Sequence, residues 1–180
     1  MTTVYLTGGA KNGKSSLGQE IACTIAKRQG LGLYYVATMI PHDEEDRYRI
    51  ARHVQDRSGL GFTTLEQGSG LAALARPEGF YLVDSVTALL ANLMFGAEGF
   101  DPEAPKKAGA DLLELLDRAG GAVLISDYIG GAGGSFADYT REYMQGLAYL
   151  DRLLAARCHT VAELAAGVPL VYKGSLQELT

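Results

Sequence analysis

Val4-Tyr5-Leu6-Thr7-Gly8-Gly9-Ala10-Lys11-Asn12-Gly13-Lys14-Ser15 decides how the rest of the chain is read. Its first four residues form a short apolar, β-branched run, which predicts a strand. The run breaks at two glycines, and beyond Lys14 the residues Leu17, Ile21 and Ile25 recur on one helical stripe. Gly8, Gly13, Lys14 and Ser15 fit the spacing G-x-x-x-x-G-K-[ST], in the strand–loop–helix setting that this spacing requires. The glycines let backbone N–H groups turn inward around a polyphosphate, and the helix N-terminus adds a favourable dipole. Lys14 supplies a point charge, and the Ser15 hydroxyl is suited to Mg²⁺. The candidate nucleotide-binding residues here are Gly8, Gly9, Ala10, Lys11, Asn12, Gly13, Lys14, Ser15 and Ser16. The stretch predicts a nucleotide-binding protein.

The 180 residues suit one domain large enough to bury a proper core. A net charge of −5 argues against broad binding to nucleic acid or anionic membranes, so any phosphate affinity is local. The N-terminus runs directly into a strand, so no signal peptide is expected. No apolar run reaches the roughly 20 residues of a membrane span. Cys23 and Cys158 stand far apart, which fits a reducing cytoplasm better than a disulfide or zinc framework.

Further buried strands are expected at 33–38, 80–83 and 122–125, with a short one at 62–65 and a small helix near 71–74. From Asp43 to Arg57 the chain is almost entirely charged. Asp43 suits an N-cap and arginines fill the later turns, which predicts a surface helix that buries little. Helices are expected after Asp84, along the Leu112, Leu115, Leu116 and Ala119 stripe closed by Gly120-Gly121, and up to about Ala156. That last helix carries Tyr139, Tyr143, Leu147, Leu150 and Leu154 at spacings of three or four. The segment 96–105 reads as a surface loop, and the end as a hairpin turning at Gly167-Val168-Pro169.

Two predicted strands end in an acid, at Asp84 and Asp127. In phosphate-loop proteins such an acid holds Mg²⁺ or orients the nucleophile, and in an open α/β sheet ligands gather at that edge. His53 lies one helical turn from both Arg49 and Arg57, beside Arg52. Neighbouring guanidinium groups disfavour imidazolium, and neutral imidazole is the form that attacks phosphorus. His42 and His159 read as structural or solvent-facing.

With these residues in place, the chain resembles the bifunctional adenosylcobinamide kinase / adenosylcobinamide-phosphate guanylyltransferase family of cobalamin synthesis. Thr7 to Ser15 is similar to that family's opening loop, and Tyr35-Val36-Ala37-Thr38 to its second-strand motif. Arg49-Ile50-Ala51-Arg52-His53, followed by Arg57, is similar to its R-I-x-x-H segment. The resemblance implies that His53 is the guanylylated residue; the phosphate loop itself makes Lys14 the second catalytic group. The resemblance further implies that Thr38, Arg57, Glu66 and Asp84 contact nucleotide, Asp84 standing where the family has Glu; the phosphate-loop chemistry puts Ser15 and Asp84 at the metal. The stretches 83–95 and 167–173 follow the family's pattern as well. One region departs: Asp127-Tyr128-Ile129-Gly130-Gly131-Ala132-Gly133-Gly134-Ser135 stands where the family has N-E-V-G-x-G-I-V-P. Asp151 also stands where Asn is usual, and Gln145 where Asp is.

The fold expected is one α/β domain over residues 1–180: a phosphate-loop (RecA-like), mainly parallel sheet, flanked by helices on both faces, with a C-terminal edge hairpin. The resemblance implies phosphorylation of adenosylcobinamide with ATP or GTP, then transfer of GMP from GTP to the product. It also implies a homotrimer, while the loop itself calls for Mg²⁺, the cysteine usage for a cytoplasmic location, and the charge and hydropathy for neither nucleic acid nor membrane as partner. A phosphate-loop small-molecule kinase without guanylyltransferase activity, or a GTP-binding regulatory subunit, would share the opening motif.

Overall fold

The structure is a computed structural model that describes residues 1–41, 44, 48, 57–97, 99–129, 138–177 and 179. Strand β1 (Thr2–Gly8) runs through the phosphate loop into helix α1 (Lys14–Gln29), then β2 (Gly32–Ala37) and β3 (Thr63–Glu66). A 3₁₀ turn at Leu71–Leu74 leads to β4 (Gly79–Asp84), α2 (Val86–Met94), β5 (Phe95–Gly96) and β6 (Gly99–Phe100). There follow α3 (Ala104–Arg118), β7 (Gly121–Ile125), α4 (Asp138–Arg157), β8 (Thr160–Ala165) and β9 (Val168–Lys173). Among the described residues, seven strands form one sheet in the order β3-β2-β4-β7-β1-β8-β9. All pairings are parallel except β8 with β9, the C-terminal edge hairpin.

Strand alternation sorts the core into two layers. Val4 and Leu6 of β1, Phe80 and Leu82 of β4, and Val123 and Ile125 of β7 pack with Ile21, Ala22 and Ile25 of α1. Tyr5, Tyr81, Val83, Ala122 and Leu124 point the other way, onto Leu89, Leu112, Leu116 and Leu150 of the remaining helices. Each fully buried leucine or isoleucine contributes roughly 2 kcal/mol of apolar transfer. Parallel strands covered on both faces explain why these segments read as continuous apolar runs. Among the described residues, no helix is long and apolar enough to cross a membrane.

Several expectations are corrected. The segment 96–105 is more than a loop: β5 and β6 pair antiparallel, their Phe95 and Phe100 rings 5.9 Å apart, and α3 already begins at Ala104. The final hairpin turns at Ala166-Gly167, whose φ angles of 51° and 82° are both positive. Pro169 lies within β9, where an edge strand tolerates its missing N–H. Gly121 starts β7 and does not close α3. Tyr139 is exposed, its ring tilted against that of Phe100 with centroids 4.9 Å apart, instead of facing the core. Arg57, expected on a surface helix, is buried in a turn. The remainder of the predicted helix from Asp43 lies outside the described residues, apart from Glu44 and Tyr48, which are helical.

Candidate active site

The site is assembled at the C-terminal edge of the sheet. Gly8 ends β1 with φ 143°, and a Cβ there would lie 2.4 Å from the Leu164 carbonyl oxygen, so only glycine can make this exit. Gly13 then caps α1 without any side-chain hydrogen bond, and the first turn of the helix carries no acid. Its leading N–H groups are therefore open to an anion. The loop from Ala10 to Ser16 walls a cavity of about 600 Å³, closed on the far side by Met39, Asp84, Ile125 and Asp127.

Lys14 is 5% exposed, and its ammonium is held by donation to the Gly9 carbonyl at 2.6 Å and an ion pair to Asp127 at 2.8 Å. Ser15 Oγ donates to Asp84 Oδ2 at 2.8 Å, and the Tyr35 hydroxyl donates to the same oxygen at 2.7 Å. Burial first, and the adjoining Asp84 charge second, push the Tyr35 phenol far above its ordinary range, so Tyr35 acts as a donor. The Arg57 guanidinium sits 3.5 Å over the Tyr35 ring. Among the described residues, its Nε and Nη1 are buried with no hydrogen-bond partner. Arg57 and Asp84 line an adjoining cavity of about 190 Å³ together with Tyr35, Met39 and Asp127. Buried guanidinium N–H groups without acceptors are costly unless a ligand supplies the acceptor, and a phosphate oxygen is the natural one.

A hydroxyl and a carboxylate converging at Ser15 and Asp84 are the hard oxygen donors that Mg²⁺ takes. Among the described residues, no group of three or more His, Cys, Asp or Glu side chains forms a metal cage. The pair therefore suits an ion that arrives with phosphates and keeps most of its coordination from them and from water.

The other sequence candidates fall as follows. Thr38 is fully buried, and its hydroxyl both donates to the Ser85 carbonyl and accepts from the Ser85 N–H at 2.7 Å, which locks the end of β2 to the end of β4. Glu66 is exposed at the end of edge strand β3, opposite Ala37, and lines neither cavity. His53, Arg49, Arg52, His42 and the glycines Gly130, Gly131, Gly133 and Gly134 lie outside the described residues. His159 stands outside the site, with Nδ1 2.7 Å from Thr3 Oγ1.

Sequence reasoning missed Tyr35 and Asn92. Asn92 donates to the carbonyls of Thr38 and Gly68 at 2.7 and 3.1 Å, fixing the strand ends around the cavity. The available signal for Tyr35 was its phenol inside a buried strand, since a buried hydroxyl needs a partner.

Against known proteins, the profile of the family described as cobinamide kinase / cobinamide phosphate guanyltransferase matches residues 4–172. The bifunctional adenosylcobalamin biosynthesis protein CobP of Pseudomonas aeruginosa is 33% identical over 174 residues, covering 94% of this chain and 96% of that protein. Among solved structures, a KaiC-like protein of Pyrococcus horikoshii superposes with a TM-score of 0.52 at 14% identity, covering 96% of this chain and 80% of that one. That likeness bears on the fold alone. The phosphate loop, the strand-end acids and this extended match converge: the chain belongs to the cobinamide kinase / cobinamide phosphate guanyltransferase family.

Proposed function

We propose that the protein phosphorylates the hydroxyl of adenosylcobinamide with ATP or GTP, and then transfers GMP from GTP to the resulting phosphate, giving adenosylcobinamide-GDP and pyrophosphate. The observation that carries the reading is the pairing at the phosphate loop, Lys14 with Asp127 and Ser15 with Asp84, around one cavity. In the kinase step Lys14 leaves its carboxylate partner for the terminal phosphates, and the N–H groups of Gly13 to Ser16 offset the charge that develops there. Mg²⁺, held by Ser15 and Asp84, would supply Lewis-acid neutralisation of the phosphate oxygens.

In the second step His53 forms a bond to the α-phosphorus while pyrophosphate departs. An oxygen of the corrinoid phosphate then attacks the same phosphorus and releases the imidazole. Arg57, whose Nε and Nη1 have no acceptor among the described residues, takes a phosphate oxygen during the exchange. The role of His53 rests on its arginine-flanked position in the sequence and on family membership. Nucleotide contacts from Thr38 and Glu66, a cytoplasmic location and a homotrimer belong to the same reading, and light scattering that returns a monomer mass would remove the trimer.

The test is incubation with α-labelled GTP. The protein should retain acid-labile, base-stable label, and His53→Ala should not. Equal labelling of His53→Ala and wild type would refute the histidine assignment. Robust γ-phosphate transfer with no label at all would leave a kinase only.

A further inference from the structure

Asp127 lines three cavities at once: the one over the phosphate loop, the one beside Arg57, and a third of about 240 Å³ between the end of β7 and α4. The third differs from the other two in charge. Its described walls are Tyr128, Ile129, Met144, Leu147 and Ala148, with the carboxylates of Asp127 and Asp151, and no cation lies among them. The cation that pairs with Asp127, Lys14, faces the phosphate loop, so the two carboxylates disfavour a phosphate here. They suit a neutral group that donates hydrogen bonds, and the aliphatic walls suit the carbon arm that bears it. The nucleotide's place is the cation-bearing cavity next door.

Asp127 joins the two spaces. One of its carboxylate oxygens accepts from Lys14 Nζ at 2.8 Å, so an atom seated on its other oxygen lies one ion pair away from the terminal phosphates that Lys14 will meet. The residue is positioned from behind. Its backbone N–H donates to Thr87 Oγ1 at 2.8 Å, the Thr87 carbonyl accepts from the Tyr143 hydroxyl at 2.8 Å, and the next N–H, of Tyr128, donates to the Gly8 carbonyl at 2.9 Å. Its side chain is 40% exposed, so a substrate can reach it. On the opposite wall Asp151 is held by the Tyr5 hydroxyl, which donates to it at 2.5 Å. Asp84 cannot stand in for Asp127, because it is engaged by Ser15 and Tyr35 and does not line this cavity.

We propose that this third cavity receives the hydroxyl-bearing arm of the kinase acceptor and that Asp127 takes the hydroxyl proton during phosphoryl transfer, an assignment that rests on the kinase reading above. The O–H bond breaks and its proton passes to the free oxygen of Asp127. The hydroxyl oxygen bonds to the γ-phosphorus. The bond from the γ-phosphorus to the bridging oxygen breaks, and its electron pair stays on the nucleoside diphosphate, where Lys14 offsets the charge.

The experiment uses the full chain with cobinamide and GTP. Asp127→Asn should lower kcat for cobinamide phosphorylation by roughly 10²- to 10³-fold, with GTP affinity unchanged. Asp127→Glu should recover part of the rate, which a purely structural role for the aspartate would not predict. Ala148→Leu narrows the cavity from a half-buried helix position and should raise KM for cobinamide about tenfold with kcat and GTP affinity near wild type. Wild-type kcat in Asp127→Asn, or an unchanged KM in Ala148→Leu, would overturn the proposal. So would a parallel loss of GTP binding in Asp127→Asn, because that places the residue on the nucleotide. A wild-type protein that binds GTP but transfers no phosphate to cobinamide would remove the kinase reading itself, and this assignment with it.

Discussion

Asp84 and Asp127 look alike in sequence: each stands at the end of a run of buried apolar residues, Asp127 after one intervening residue. In space they divide the site. Asp84 faces Ser15, Tyr35 and the Arg57 side, where metal and inner phosphates would sit. Asp127 faces Lys14 and opens onto α4. The cause is strand order. Strand β7 lies between β1 and β4, so Asp127 stands next to the loop strand while Asp84 is one strand further along, under the Ser15 end of the loop. Identical side chains thus acquire different work from their neighbours alone, as expected where environment sets the role of paired carboxylates.

The largest effect that bears on this division should come from the group both halves depend on. Lys14→Ala removes the charge proposed to offset the leaving phosphates and strips Asp127 of its ion pair. Turnover of cobinamide and labelling by α-labelled GTP should both fall about 10³-fold or more. Preserved rates would undo the phosphate-loop argument for both aspartates. Asp84→Asn comes next, with an expected loss of about 10²-fold in both reactions and a raised Mg²⁺ requirement. Asp127→Asn should strike the kinase reaction and spare the labelling. If the two variants show the same pattern, the two carboxylates do not divide the work.

A smaller effect should appear through the floor of the site. Gly18 of α1 faces β4 and β7 together: a Cβ there would lie 2.9 Å from Leu82 Cδ1 and 3.0 Å from Ile125 Cδ1. Gly18→Val overpacks both contacts and should cost about 2 kcal/mol in denaturant unfolding. Because the two strands are pushed together, kinase and labelling rates should fall in step. A selective loss of either would show that the strand ends move independently.

What was legible beforehand follows from range. The phosphate loop is written in glycine and lysine spacing within eight residues, and the buried strands in uninterrupted apolar runs, so both could be read locally. The split between Asp84 and Asp127 could not, since it depends on β7 inserting between strands that precede it in the chain. Arg57 was misplaced for a related reason. A charged run reads as solvated, while its guanidinium is covered by stacking on Tyr35, twenty-two residues earlier. The Phe95–Phe100 pair escaped because strands of two residues carry no periodicity to detect.

The smallest expected effect concerns the wall opposite Asp127. Burial, the largest influence on Asp151, holds its carboxyl above the ordinary range, against weaker opposing contributions from Tyr5, Ser126 and Arg152. The folded protein therefore binds this proton more tightly than the unfolded chain does. The resulting stabilisation is fully present below the unfolded value, near pH 4 (~3.9). It fades as pH rises through the higher folded value, beyond which folding bears the cost of a partly buried charge. Asp151→Asn carries no charge, and its side-chain carbonyl can still accept from the Tyr5 hydroxyl. Urea unfolding across pH 4 to pH 8, about the span over which carboxylates titrate, should show the wild type losing stability relative to the variant as pH rises. The two should be closest at the acid end. A variant that is instead less stable at pH 8 by more than about 1 kcal/mol, the usual worth of one hydrogen bond, would mean that the Asp151 charge is favourably held by Tyr5 and its other neighbours instead of bearing a cost of burial.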